Sequence, residues 1–254
     1  MSIQGIYAAS MSIFSDDLSL NIRETINHAE NLITKGCNGV VLFGSTGQAQ
    51  LISTKEKISL IEEASASLQK KNFVIGTGTN SLKETITLMK HSKENGFNHF
   101  LLMPPAYYKY GDSGAYSFYA KVIDEIPDSK IILYNFEKLC GYAFSIKIVE
   151  QLVKDFPDQI CGVKDSTKNL YDQLKIENFS VMPGSEAHLL KGLKIGCSGI
   201  ISAVTNVTAA LSRKIYEDYK KGKVLDEDNN LLINVRAVFD KYDLISALHT
   251  YKNE

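Results

Sequence analysis

Short apolar runs and longer amphipathic segments alternate along this chain. Eight runs stand out: GIYAAS (5–10), GVVLFG (39–44), FVIGTG (73–78), HFLLMP (99–104), KIILYN (130–135), ICGVKD (160–165), FSVMPG (179–184) and SGIISA (198–203). Apolar residues fill successive positions in them, as in strands covered on both faces of a parallel sheet. The segments between carry helical spacing. From Asn21 to Lys35, Ile22, Ile26, Ala29 and Ile33 share one face, and Gly36 follows as a C-cap. Ser53 with Glu56 forms a capping-box signature. Asn80 and Ser81 open a helix closed by Gly96, and Ser145 opens one that ends before Pro157. Segments 185–194 and 207–221 complete the set, and 167–178 shows the weakest helical pattern.

Eight strand-then-helix units predict an α/β chain folded as a (β/α)8 TIM barrel over residues 1–222. A short C-terminal helical extension, 223–254, should add one or two helices packed outside the barrel. The competing fold, a doubly wound open sheet, usually has fewer strands and a glycine-rich first turn. Here the first run leads into SMSIFSDD, without GxGxxG.

Composition narrows the partners. With 28 basic and 29 acidic residues the formal net charge is −1, so neither a nucleic acid nor a membrane surface is indicated. No apolar run reaches the roughly 18 residues of a membrane span, and MSIQGIYAASMSIFSDD lacks the basic start of a secretory signal. Cys37, Cys140, Cys161 and Cys197 are scattered, which fits reduced core thiols in a cytoplasmic protein and no metal site.

In a barrel of this type the carboxyl ends of the strands meet at one mouth, where active sites form. The runs end in Gly44-Ser45-Thr46-Gly47, Pro104-Pro105-Ala106-Tyr107-Tyr108, Tyr134-Asn135, Lys164-Asp165-Ser166, Gly184-Ser185-Glu186 and Ile201-Ser202. Together they offer one amine, several hydroxyls and glycine-lined backbone, with no cluster of metal ligands. That set suits Schiff-base chemistry, in which a neutral amine attacks a ketone and the iminium then takes up electrons from a breaking bond. A solvated lysine is almost wholly protonated at pH 7, and burial disfavours an ammonium. Asp165 follows Lys164 directly, so along a strand it should point to the opposite face. Singly, each end is commonplace: a solvated lysine, a turn, a core tyrosine.

In order, the blocks GSTGQAQLISTKEK, LLMPPAYYKYG, IILYN, GVKDST, MPGSEAHLLKGLKIGCSGIIS and VFDKYDLISALH resemble the pyruvate-dependent class I aldolase family. Dihydrodipicolinate synthase and N-acetylneuraminate lyase are its best-known members. The resemblance implies a Schiff base between Lys164 and pyruvate or a related 2-oxo acid, with no cofactor and no metal. It makes Tyr134 the proton carrier, in a hydroxyl relay with Ser45 and Tyr108, the last often supplied by a neighbouring subunit. Thr46 and the Ser45 backbone would hold the substrate carboxylate at a helix N-terminus. Gly184 and Ile201 would offer backbone carbonyls, and a homo-oligomer, dimer or tetramer, is expected.

Departures bear on the second substrate. Dihydrodipicolinate synthases carry YNxPxRTG, whose arginine grips a carboxylate. This chain reads YNFEKLCG, with Leu139 at that position and Lys138 facing elsewhere. Glu186 is followed by Ala187, so the Asp-Glu pair of the neuraminate lyases is incomplete, and Gln48 replaces a usual glutamate. The tail is shorter than the family's. The resemblance therefore favours a lyase or aldolase for a 2-keto-3-deoxy sugar acid or related 2-oxo acid. The alternatives are 4-hydroxy-tetrahydrodipicolinate synthase and a non-catalytic barrel that binds a keto acid.

Overall fold

In the computed structural model, which describes residues 3–224 and 226–253, each apolar run forms a strand. These are β1 (Gly5–Ala9), β2 (Gly39–Leu42), β3 (Phe73–Gly76), β4 (His99–Leu102), β5 (Lys130–Asn135), β6 (Ile160–Asp165), β7 (Ser180–Pro183) and β8 (Gly199–Ser202). Every paired neighbour is parallel, in the order β7-β6-β5-β4-β3-β2-β1-β8. The two edges meet where the Ser198 amide donates to the Val181 carbonyl at 2.9 Å. The result is a nearly closed (β/α)8 barrel, as predicted.

The double coating of the strands explains their composition. Tyr7, Ala9, Val41, Val74, Leu101, Ile132, Met182 and Ile201 fill the barrel interior. Their strand neighbours Ile6, Ala8, Val40, Leu42, Ile75, Ile131 and Val163 pack outward in the layer shared with the helices. Burying each such aliphatic side chain stabilises the fold by about 1.5–3 kcal/mol.

Helices α1 (Ile22–Thr34), α2 (Thr54–Ala64), α3 (Leu82–Glu94) and α4 (Asp112–Glu125) follow the first four strands. A single turn, α5 (Glu137–Cys140), and α6 (Ile146–Asp155) follow β5, and α7 (Leu189–Lys194) and α8 (Thr205–Lys220) follow β7 and β8. The capping residues read from sequence act as such. Asn21, Ser53, Ser81 and Ser145 each accept the amide three residues on, and Ser53 and Glu56 complete their capping box.

Residues 167–178 form turns instead of a helix. The physical reason is Asp165, fully buried, whose carboxylate accepts the backbone amides of Lys168, Leu170 and Tyr171 at 2.8–2.9 Å. One side chain thus satisfies donors that a helix would have paired within itself.

A register shift separates the two ends of β6. Ile131 pairs with Ile160, yet Ile132 pairs with Gly162. Cys161 is the extra residue of a β-bulge. Cys161 packs inward and Val163 outward. Lys164 then faces inward, where simple alternation from Cys161 would turn it out.

Two further helices, α9 (Asp226–Phe239) and α10 (Leu244–Asn253), form the C-terminal extension. They lie outside the barrel, as expected, and α10 also covers its mouth. Leu248 of α10 is fully buried with Met11 and Ala203, and His249 Nε2 lies 2.9 Å from the Thr46 carbonyl oxygen. Apolar surface on α10 closes over the strand ends because residues after β1 and β8 expose matching apolar groups there. Among the described residues no helix is long and apolar enough to cross a membrane.

Candidate active site

Lys164 and Tyr134 are direct register partners on β6 and β5. The lysine is 4% exposed, and its Nζ lies 4.2 Å from the centroid of the Tyr134 ring. No carboxylate forms an ion pair with it among the described residues. Asp165 points away, into the network of Asn135, which donates to it at 2.8 Å. The bulge and the pleat thus separate an amine from the acid next to it in sequence.

The Tyr134 hydroxyl lies 3.2 Å from Ser45 Oγ. This contact joins β5 to the turn after β2, across the mouth. The turn is tied by two backbone bonds, Gln48 amide to Ser45 carbonyl and Ala49 amide to Gly44 carbonyl. The amides of Ser45, Thr46 and Gly47 take no part in those bonds. Such successive free N–H groups make an anion-binding concavity. The predicted helix N-terminus at this point is corrected: a three-residue 3-10 turn, Ala49–Leu51, follows the GSTG segment. Phe43 and Gln48 have positive φ (57° and 51°), which folds the segment back on itself. Thr46 is buried beneath α10.

Gly184 sits where β7 leaves the barrel. A Cβ there would come within 2.3 Å of Ser166 Oγ and 2.9 Å of its Cα, so the close approach requires glycine. Its carbonyl accepts a 3.3 Å bond from Ser202 Oγ. Ile201 is fully buried in the interior.

A cavity of about 480 Å³ opens above these groups. Ser45, Tyr134 and Leu139 line it, with Gln48, Gln50, Asn80, Met103 and Ala106; α10 contributes Ile245 and Ser246, and Asp243 just before it also lines the cavity. Lys164 does not line it; its amine lies against the Tyr134 ring that does. Lys138 is absent from the wall and Leu139 is present, the orientation expected from sequence.

Tyr108 is not brought to this group. It is 78% exposed and stacks edge-on against Tyr107 at 5.1 Å. The loop carrying both is pinned away from the centre by Tyr110, whose hydroxyl donates to the Pro105 carbonyl at 2.6 Å. Tyr107 itself is held at φ 80°, a left-handed conformation costly for an aromatic residue.

Glu186 is fully buried, accepting from Thr205 Oγ1 at 2.8 Å and facing Arg236 Nη1 at 3.3 Å. It fastens α9 to the strand-seven loop and is spent as a structural anchor. Sequence reading missed Asn80, Gln50 and the α10 residues. The spacing Asp243–Ser246 was the available signal, since Asp243 accepts the Ser246 amide at 3.0 Å at the start of α10. Among the described residues no group of three His, Cys, Asp or Glu side chains could hold a metal. All four cysteines are buried and free.

Comparison with known proteins gives a consistent answer. Residues 2–242 match the Dihydrodipicolinate synthetase family. A 4-hydroxy-tetrahydrodipicolinate synthase of Methanococcoides burtonii is 28% identical over 225 residues, covering 86% of this chain and 76% of that protein. The 2-keto 3-deoxygluconate aldolase of Picrophilus torridus superposes with a TM-score of 0.89 at 24% identity, covering 98% of this chain and 91% of the other. YagE of E. coli K12, solved in complex with pyruvate, gives 0.88 at 23% identity, covering 98% and 88%.

Proposed function

The chain belongs to the Dihydrodipicolinate synthetase family, and from that premise we propose a Schiff-base lyase acting through Lys164 on pyruvate or a related 2-oxo acid. One observation carries the reading: a buried lysine with no acidic partner, packed on a tyrosine whose hydroxyl meets a serine. The carboxylate of the keto acid binds the amides of Ser45, Thr46 and Gly47. The carbonyls of Gly184 and Ile201 face its other side. The Lys164 amine, as the free base, adds to the ketone carbon. Tyr134 delivers a proton to the departing hydroxyl, and water leaves as the imine forms. Ser45 resupplies the tyrosine through their hydrogen bond.

The imine then serves as an electron sink. In the cleavage direction the C4 hydroxyl gives its proton to the Tyr134 oxygen, the bond between C3 and C4 breaks with its electrons passing to the imine, and an aldehyde leaves. The enamine left on Lys164 takes a proton at C3, and water releases the keto acid. Condensation runs the same steps backwards. A 2-keto-3-deoxy sugar acid or related acid fits the cavity, with Leu139 on the aldehyde side. A second copy of the chain would bring the exposed Tyr108 loop to a neighbour's mouth, in a cytoplasmic homo-oligomer.

Borohydride reduction with pyruvate tests the core of the proposal. One reduced-pyruvate adduct is expected on the intact chain and none on Lys164→Ala. An adduct that persists in the variant would reject the assignment. A coupled assay with pyruvate and aspartate semialdehyde tests the synthase alternative, and robust turnover there would overturn the sugar-acid preference.

A further inference from the structure

The aldehyde half of the cavity has a one-sided electrostatic character. Of the residues that line it, Asp243 has the one charged side chain. Around it stand uncharged polar groups, Gln48, Gln50, Asn80 and Ser246, and the apolar Leu139. Hydrogen bonds from the Ser246 amide and hydroxyl, at 3.0 and 2.9 Å, hold the Asp243 carboxyl below the usual carboxylate range. It is therefore ionised at neutral pH. Lys138 adds to this effect from outside the cavity wall.

We propose that Asp243, carried by the C-terminal extension, is a charge filter for the acceptor aldehyde. It disfavours acceptors bearing a carboxylate or phosphate and leaves the site to uncharged polyhydroxylated ones. The amides and the hydroxyl beside it bond hydroxyl groups without adding charge. No cation lines the wall itself, and Lys138, whose charge reaches Asp243, stands outside it. This inference rests on the Schiff-base reading above and adds to it the class of the second substrate. Asp243 is solvent-exposed, so its field must weaken as salt shortens the Debye length. A purely steric rim would show no such dependence.

The experiment compares two acceptors that differ in charge, glyceraldehyde and glyceraldehyde 3-phosphate, each condensed with pyruvate. The wild-type protein should favour the uncharged aldehyde in kcat/KM, and the preference should shrink at high ionic strength. Asp243→Asn removes the charge and keeps a good helix cap. It should shift the ratio toward the phosphate ester by about three- to tenfold. A role confined to folding would lower both rates and leave the ratio alone. An unchanged ratio in the variant, or a wild-type preference insensitive to salt, overturns the filter. The salt series needs no variant and decides the matter even if Asp243→Asn folds poorly. Borohydride trapping with pyruvate is run in parallel. An adduct with a flat ratio rejects Asp243 alone, whereas no wild-type adduct rejects the Schiff-base reading and the filter with it.

Discussion

The donor side and the rim of the mouth are built from different materials. Lys164 and Tyr134 stand on adjacent strands, paired by backbone register and buried in the interior. Leu139 stands on the single turn α5, Tyr107 and Tyr108 on a loop, and Asp243 on the C-terminal extension. Strand pairing fixes positions to within a fraction of an ångström, and loops admit substitution. The comparison teaches a division of labour. The proposed chemistry sits on the strands, and the proposed choice of second substrate sits on loops and on the C-terminal extension.

That division can be broken experimentally, beginning with the strands. Tyr134→Phe keeps the buried ring and removes the proposed proton carrier, so kcat should fall by about 10²- to 10⁴-fold. Near-native thermal melting would show that the scaffold is intact, and an unchanged kcat would remove Tyr134 from the mechanism. Arg236→Met tests the seam between the halves. It strips a fully buried Glu186 of its cation and should cost about 3 kcal/mol, read from the denaturant midpoint. A midpoint within experimental error of wild type would mean that α9 is held by packing alone.

Changes at the rim should be smaller and confined to selectivity. Leu139→Arg should raise kcat/KM for a carboxylate-bearing aldehyde about tenfold, the worth of one charge-assisted hydrogen bond. Pyruvate trapping should be untouched, and if it is lost the two halves are not separable. The smallest effect is one of pH. Burial lowers the pKa of His28, whose Nε2 lies 2.8 Å from Asn206 Oδ1. The unfolded chain then binds the proton more readily. Stability is therefore full above about pH 6.5 and declines as the pH falls toward the folded value, by at most about 1.4 kcal/mol per unit. His28→Gln should flatten that slope in acid melts, and acceptor preference should not follow it.

What could be read from sequence was local. Each strand announced itself by successive apolar positions, and each of four helices by a capping residue whose bond lies three residues away. Family blocks supplied the roles of Lys164, Tyr134 and Ser45, and the structure gathers those residues at the mouth. What escaped was long-range or exceptional. The docking of α10 depends on Leu248 meeting Met11 and Ala203, contacts that no window of sequence contains. The turns at 167–178 depend on one carboxylate serving three amides. The outward course of the Tyr108 loop depends on the Tyr110 hydroxyl meeting Pro105 and on the Ala106 amide meeting Asn80.

The extra residue at Cys161 has a consequence for how such an enzyme changes over generations. Side chains on a strand divide into odd and even, and a bulge swaps the two classes for everything beyond it. Were the strand to pair without the bulge, with Cys161 taking the place opposite Ile132, the amine of Lys164 would swing toward the helices and the carboxylate of Asp165 into the mouth. No substitution is needed to exchange an amine for an acid at the mouth, only a change of parity. Point mutation can tune this centre, but a one-residue slip of register at the bulge would abolish it while leaving every side chain in the gene.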